Sequence, residues 1–439
     1  MAPPHRSHAA VLARGAVGTG LVQLVSIALA FGSAVVLARA LGDAGFGAYT
    51  YALTWGLVLL GPATFGLGPI LTRETAAGLE TGAFGRVRAV RRWAERLALA
   101  ATAVVVPLGL VGVALGRPWL DAEQVPPLLV GMPLIALSAA TLVCRHLLLG
   151  LRRVIVAQIA ESVLRPAAVL LGVGGLWLAG VPVSAVEALG IYAVGSVVGL
   201  CWMAWHIRRA TPPEVAAAPL DPDPTWLRAA APLLVTNVAR DLNAEAGTLV
   251  IGSLLAADDV GLFRAATRLA SLPTYVLTAV NLSFQPIAAG LFAKGDLRGI
   301  ETLGVRASRV AVLLSLPLLA GLFVFGEPLL GVFGPAFTRA APALRILALG
   351  HLFNVSCGSV GVVLVACRRE DDAMRGLLLS CAVVLVANGV LIWAFGLLGA
   401  AAATALGLVV WNVALTWFAW ARLDIVPAAF SWRRAGRDG

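Results

Sequence analysis

The feature that most constrains this chain is a series of about twelve apolar stretches, each long enough to cross a bilayer. A membrane-spanning helix needs about 20 predominantly apolar residues. Composition agrees, because 59% of the residues are hydrophobic and only 13% are charged, whereas soluble domains carry about 25% charged residues. The sequence therefore predicts an all-α integral membrane protein. The expected spans are residues 17–37, 48–71, 94–115, 125–147, 154–178, 186–205, 229–256, 264–292, 308–331, 341–366, 374–394 and 398–421.

The positions of the basic residues predict how these spans are oriented. Most of the 33 Lys and Arg fall in the two tails and in every second connection, such as 73–96, 145–153 and 208–228. Basic residues are enriched in cytoplasmic loops, so both termini are expected in the cytoplasm. The first span is too long for a cleavable signal peptide. The net charge of +10 is explained by this topology signal and by contact with anionic lipids. Arginines spread over short segments argue against nucleic-acid binding.

The chain divides into two similar halves. A polar, Pro-rich stretch predicts a cytoplasmic linker at 207–227, between an N-terminal six-helix lobe at 1–206 and a C-terminal six-helix lobe at 228–439. Short motifs recur in the same order in both lobes at offsets of about 210–216 residues. The pairs are Gly47-Ala48-Tyr49 with Gly261-Leu262-Phe263, Gly82 with Gly295, Gly116 with Gly326, and Arg152-Arg153 with Arg368-Arg369. Parallel repeats of this kind are typical of transporters.

Several spans carry polar residues at helical spacing, which predicts a water-filled cavity. Charged groups inside a bilayer are costly, by roughly 2.5–3.5 kcal/mol on insertion scales, and therefore mark functional sites. Forked guanidinium donors fit phosphate oxygens well. The candidate substrate-binding residues are Arg240, Arg268, Arg264, Arg165, Asn243, Tyr275, Gln285 and Gln23. The candidate coupling-ion acids are Asp241, Glu245 and Glu161.

Structural explanations of the same residues stay open. Glu161 and Arg165 are four residues apart and can form an ion pair within one helix. Another structural explanation is that Asp241 merely neutralises the charge of Arg240. Arg264 and Arg268 lie near the outer end of a span, where long basic side chains reach the interface.

The residues around the first two spans resemble a known family. Arg39-Ala40-Leu41-Gly42, Phe46-Gly47 and Tyr49, followed by Gly66-Leu67 and Arg73-Glu74, are similar to the corresponding stretch of oligosaccharide-lipid flippases. These flippases belong to the multidrug/oligosaccharidyl-lipid/polysaccharide (MOP) exporter superfamily. The twelve-span plan and the basic central linker also fit.

The resemblance implies two six-helix bundles around a central cavity, as in MATE-like transporters of the superfamily. It implies a polyprenyl-diphosphate-linked oligosaccharide as substrate, flipped from the inner to the outer leaflet of the cytoplasmic membrane for surface polysaccharide biosynthesis. Membrane lipids and the polysaccharide polymerase or export machinery would be partners. Two alternatives remain within the superfamily. Cation-coupled multidrug exporters generally carry an acid in the first span, and this chain has none between Arg14 and Asp43. The lipid II flippases resemble a fourteen-span plan.

Catalysis is not expected. The outer loops are short, the five His form no paired motif, and the five Cys fall in or at the ends of spans. We therefore expect neither an enzyme nor a cofactor or metal site.

Overall fold

The computed structural model describes residues 8–431, with side chains from Val22 onward. Within that range the secondary structure is helical and contains no strand. The internal contacts divide the chain into two compact units, Met1–Val238 and Ala239–Gly439, here called unit one and unit two.

Unit one contains helices α1 (His8–Thr64), α2 (Gly68–Thr81), α3 (Phe84–Gly116), α4 (Val125–Gly150), α5 (Val154–Ile159), α6 (Arg165–Leu178), α7 (Ala185–Ala210) and α8 (Pro213–Ala217). A π-helical turn, Ala160–Leu164, joins α5 to α6. Helix α9 (Thr225–Leu254) begins in unit one and ends in unit two. Unit two continues with α10 (Ala257–Ala270), α11 (Leu272–Ala293), α12 (Leu297–Val324), α13 (Gly326–Gly331), α14 (Ala341–Cys357), α15 (Val360–Ala366) and α16 (Glu370–Leu423).

Helices long and apolar enough to span a membrane confirm the predicted all-α membrane fold. Nine such segments occur in the described part of the chain. Two of them, in α1 and α16, contain a residue with non-helical backbone, Gly42 and Gly396 respectively. Each arm beside these glycines is long enough to cross about 30 Å of hydrocarbon. Helix α9 falls outside the nine because it carries Arg240, Asp241 and Glu245.

The stretch expected as the second span, residues 48–71, is interrupted at Phe65 and Gly66, whose φ values are 50° and 68°. Helix α1 ends just before them and α2 begins at Gly68. A Cβ on Gly66 would lie 2.5 Å from the backbone nitrogen of Leu234, so only glycine fits here. The connection between the first two expected spans, residues 38–47, is almost entirely helical. Gly42 alone leaves helical geometry, with φ 71° and ψ −177°, because one glycine suffices to reverse the backbone twist.

Each unit packs around its own fourth long helix. In unit one, α4 contacts α1, α2, α3 and α7. In unit two, α14 contacts α16, α12 and α10. Small residues allow close approach, as at Gly350, where a Cβ would come within 2.8 Å of the Ala405 Cα. The packing therefore follows the same plan in both units.

The turns paired by the sequence repeat also match in backbone conformation. Gly82 and Gly295 have φ values of 71° and 74°. Arg152 and Arg368 both adopt left-handed backbone, at 59° and 56°. In each of these turns the amide of the next arginine donates to a carbonyl five residues back, over 2.8 Å. This is the Schellman type of helix end. An arginine in a conformation that favours glycine, at the same place in both halves, is strong support for duplication.

The polar linker packs against unit one. Arg86, in the first turn of α3, donates through Nε to Glu74 at 2.6 Å and through Nη2 to Asp223 at 2.9 Å. Just beyond, Trp226 is buried beside Trp93, with 5.6 Å between ring centroids. Hydrogen bonds from Thr225 and the nearby Arg86 guanidinium lower the pKa of Asp223. We call the Glu74–Arg86–Asp223 group the linker clasp. The domain boundaries at 206 and 228 stay predictions.

Candidate functional site: polar faces inside the units

In unit two, the structure pairs two residues that the sequence assigned to different roles. Arg264 Nη1 lies 2.6 Å from Glu245 Oε2, and only 12% of the Glu245 side chain is exposed. Arg264 was a candidate for substrate binding and Glu245 for ion coupling. The ion pair joins α9 to α10. Because Glu245 occupies a guanidinium donor of Arg264, this arginine is less available to an anionic ligand. Both assigned roles stay predictions.

Asn243 is also engaged within unit two. Its Oδ1 accepts a hydrogen bond from Ser380 Oγ at 3.1 Å, and the same hydroxyl lies 3.1 Å from the Gly407 carbonyl oxygen. The contact therefore ties α9 to α16. Interhelical hydrogen bonds of this type stabilise membrane helices by about 0.6 kcal/mol on average. Substrate binding by Asn243 remains a prediction.

The other polar residues of unit two are more accessible. Arg240 is exposed and Asp241 half-buried on α9, while Arg268 is half-buried on α10. Tyr275 and Gln285 follow on α11. In the region that the structure describes, Arg268 makes no ion pair, so no carboxylate competes with an anion for its guanidinium donors. Among the candidates of unit two, Arg268 is thus the best placed to bind an anion.

In unit one, the ion pair expected between Glu161 and Arg165 is replaced by another. Glu161 Oε2 lies 3.3 Å from Arg145 Nε on α4. Glu161 lies within the π-helical turn Ala160–Leu164 and Arg165 directly follows it, so the wider winding of this turn breaks the four-residue alignment of an α-helix. Arg165 instead donates to the Tyr192 hydroxyl at 3.1 Å. Its guanidinium carbon is 5.1 Å from the centroid of that ring.

A pair of glutamines extends this polar face. Gln158 Nε2 donates to Gln23 Oε1 at 2.9 Å, which joins α5 to α1. Gln158 Oε1 and Arg165 Nε are buried without a hydrogen-bond partner among the residues described. Buried polar atoms are normally paired. One acceptor and one donor on either side of the π-helical turn therefore lack a protein partner in the described range.

Sequence reasoning missed Arg145 and Tyr192. Arg145 was assigned to a cytoplasmic loop, but it lies in the last two turns of α4, where it reaches Glu161. Tyr192 lies on α7, where Ser196 is its polar neighbour at helical spacing and no charged residue follows it until Arg208. Arg145 falls within the expected span 125–147, so the sequence could have placed it on a helix. Nothing in the sequence identified Glu161 as its partner. In the described residues, no group of three His, Cys, Asp or Glu is arranged to hold a metal.

Each unit thus holds an arginine that forms no salt bridge with a carboxylate in the described structure: Arg165, in the apolar segment Val154–Leu178 of one unit, and Arg268, on α10 of the other. Together with the all-α fold and the parallel repeat, this defines a multi-pass membrane protein of the transporter class. The comparisons with known proteins agree. Residues 12–289 match the family described as polysaccharide biosynthesis protein, and the chain belongs to that family. Residues 232–391 also match the MatE family.

Curated relatives match over a limited length. A probable low-salt glycan biosynthesis flippase from Haloferax volcanii, Agl15, is 31% identical over 37% of this chain and 34% of its own. The probable flippase AglR of the same organism is 26% identical over 40% and 38%. The teichuronic acid biosynthesis protein TuaB of Bacillus subtilis is 27% identical over 32% and 29%. The matches span only about a third of the length of these relatives.

Solved structures show the fold over almost the whole chain. A multidrug resistance MATE family transporter of the MOP superfamily superposes with a TM-score of 0.74 at 15% identity, covering 91% of this chain and 94% of that one. The lipid II flippase MurJ superposes with a TM-score of 0.68 at 15% identity, covering 92% and 86%. The fold is therefore that of the MOP superfamily, as the resemblance implied.

Proposed function

We propose that this protein flips a polyprenyl-diphosphate-linked oligosaccharide from the inner to the outer leaflet for cell-surface polysaccharide biosynthesis. It does so by alternating access and without catalysing a reaction. The observation that carries the proposal is that Arg165, in an apolar segment long enough to span a membrane, and Arg268, on α10, form no salt bridge with a carboxylate among the described residues. A diphosphate cannot cross hydrocarbon unaided, because it would lose its hydration. Guanidinium groups that are already desolvated and aimed into a polar face offset that loss.

The relatives support this substrate class. Two of them are named as flippases, one of these for glycan biosynthesis, and a third is named for teichuronic acid biosynthesis. The MatE match and the similarity to a multidrug transporter favour drug export as the second candidate. Arginines without carboxylate partners are poorly suited to cationic drugs, whereas they attract anions. Transport of lipid II is a third candidate function, supported only by the similarity in fold to MurJ.

The driving force follows from the negative charge of the proposed substrate. An anionic headgroup moving outward travels down an inside-negative potential, which contributes about 2.3 kcal/mol per charge per 100 mV. Glu245 is held by Arg264, so we assign it the role of neutralising that arginine rather than of binding a coupling ion. Asp241, half-buried beside Arg240, is the remaining candidate for a proton or sodium site in unit two.

The membrane orientation belongs to the same proposal. We place the protein in the cytoplasmic membrane with both termini inside, where it would meet the polysaccharide polymerase and export machinery. Reporter fusions after Gly116 and Ala257 should report the outer face, and fusions after Gly82 and Thr211 the cytoplasm. A cytoplasmic signal at Gly116 together with Ala257 would overturn this orientation and the parallel-repeat argument.

The decisive experiment reconstitutes the protein into proteoliposomes and follows a labelled polyprenyl-diphosphate saccharide and a cationic dye. We expect the saccharide lipid to move and the dye to stay. Arg165→Ala and Arg268→Ala should each slow flipping about 10- to 100-fold, the equivalent of losing one hydrogen bond to a charged group. Arg92→Ala, which removes an exposed arginine on α3, is the matched control and should leave flipping unchanged. Full activity of both variants, or transport of the dye alone, would refute the proposal.

A further inference from the structure

At the carboxyl end of unit two, the structure contains an apolar pocket that the transport proposal does not use. Its volume is about 400 Å³, within the range of small-ligand sites. It lies against the last turns of α16 and the segment that follows them. The lining residues are Phe353, Cys357, Val413, Thr416, Trp417, Trp420, Val426 and Phe430. Aromatic residues at the end of a membrane-spanning helix are typical of the lipid–water interface.

One wall of the pocket is a segment fixed by side chains of α12. This segment, residues 424–431, is here called the tail strap. Glu301 Oε1 accepts from the Val426 amide at 2.8 Å, and Ser308 Oγ donates to the Pro427 carbonyl at 2.9 Å. The Ala429 amide adds a bond to the Ser356 carbonyl at 2.9 Å. Hydrogen bonds to α12 and α14 therefore fix the position of this wall of the pocket.

A positive charge lies beside this wall. Arg309 donates through Nε to the Ala429 carbonyl and through Nη2 to the Ser431 carbonyl, each at 3.2 Å. These two carbonyls flank Phe430, which lines the pocket. A guanidinium has five N–H donors, and the two carbonyls occupy only part of them. Arg309 is exposed and makes no ion pair with a carboxylate in residues 22–431. Its charge is available to an anion at the pocket mouth.

A hydroxyl inside the pocket adds a second polar feature. Thr416 Oγ1 is buried and has no hydrogen-bond partner within the described structure. A buried hydroxyl without an acceptor is unfavourable. The ligand that satisfies all three features has a long apolar chain, an acceptor near the start of that chain, and an anionic head. A glycerophospholipid has this chemistry, with acyl chain, ester carbonyl and phosphate in that order.

We propose that this pocket binds one acyl chain of an anionic membrane phospholipid, with Thr416 donating to its ester carbonyl and Arg309 contacting its headgroup. The site lies wholly within unit two and is independent of the transported substrate. Basic groups near a membrane surface favour anionic over zwitterionic lipids. The apolar lining makes the chain, rather than water, the preferred occupant.

The test uses the full-length protein in vesicles of phosphatidylcholine that contain increasing fractions of a dibrominated lipid. Bromine quenches the fluorescence of nearby tryptophans. The signal of Trp417 and Trp420 is obtained by subtracting the Trp417→Phe/Trp420→Phe variant. Dibrominated phosphatidylglycerol should quench this signal at a mole fraction about five- to tenfold lower than dibrominated phosphatidylcholine does. Equal quenching by the two lipids would overturn the proposal. It would also be overturned if unlabelled polyprenyl phosphate relieved the quenching by dibrominated phosphatidylglycerol more effectively than unlabelled phosphatidylglycerol does.

Variants separate the headgroup contact from simple detachment of the tail strap. Arg309→Gln should remove the preference for phosphatidylglycerol, whereas Arg306→Gln, at an exposed arginine without a strap contact, should keep it. Ser308→Ala loosens the same strap without changing charge, so it should affect both lipids alike. Thr416→Val should weaken both lipids alike, because both have ester carbonyls. A preference that survives Arg309→Gln, or that is lost equally in Ser308→Ala, would refute the assigned headgroup contact.

Discussion

The ion pair between Glu245 and Arg264 permits a quantitative prediction that separates a structural role from a transport role. For unit charges 2.6 Å apart, the Coulomb energy at an effective dielectric constant of ~20 is roughly 6 kcal/mol. Desolvation of the nearly buried carboxylate and the one-third exposed guanidinium cancels much of this. Breaking the pair leaves an uncompensated charge, so Glu245→Gln should lower the free energy of unfolding by about 2–3 kcal/mol.

A double-mutant cycle measures the pairing itself. Arg264→Gln alone should cost about 1–2 kcal/mol, since it leaves the nearly buried Glu245 carboxylate without its ion-pair partner. The double variant should be no less stable than Glu245→Gln, which corresponds to a coupling energy above 1 kcal/mol. Thermal unfolding in detergent provides the measurement, with a shift of roughly 2–4 °C per kcal/mol.

Transport gives the second readout of the same variants. If the pair is structural, the Glu245→Gln/Arg264→Gln variant should flip substrate about as well as the native protein wherever it remains folded. Arg268→Ala should instead lose flipping with unfolding unchanged within about 0.5 kcal/mol. The reasoning is refuted by a coupling energy below about 0.5 kcal/mol. It is also refuted if the stable double variant is inactive, because Arg264 or Glu245 would then act directly on the cargo or its coupling ion.

Three further predictions concern backbone and linker. Gly66→Ala should destabilise the protein by about 2–4 kcal/mol in the same unfolding assay, because a Cβ clashes with the Leu234 backbone at positive φ; Gly56→Ala, with open space around it, should not. Arg86→Ala should release the linker clasp and speed limited proteolysis of the linker, whereas Arg91→Ala, at an exposed pair, should not. Because the pKa of Asp223 is lowered in the folded state, protection of the linker should persist above its ordinary pKa of 3.8 and decline only as the pH falls further.

Local properties of the sequence were enough to predict the fold class and several of the turns between helices. In lipid, the backbone must satisfy its own hydrogen bonds, so an apolar stretch of sufficient length becomes a helix with few alternatives. The break after Thr64 also has a local cause, since Gly66 tolerates left-handed backbone without strain. Motif spacing also paired the turns at Gly82 and Gly295, whose φ values agree to within 3°.

The partners of the buried charges were decided by the tertiary structure. Helical spacing shows which residues share a face, but it cannot show which helix packs against that face. Helical spacing allowed Glu161 to pair with Arg165, yet the π-helical turn changes that alignment and Arg145 on α4 forms the ion pair instead. Glu245 and Arg264 meet only because α10 folds back beside α9. Hydropathy acts along the chain and can be read from it, whereas charge pairing acts across a few ångströms of space and depends on packing.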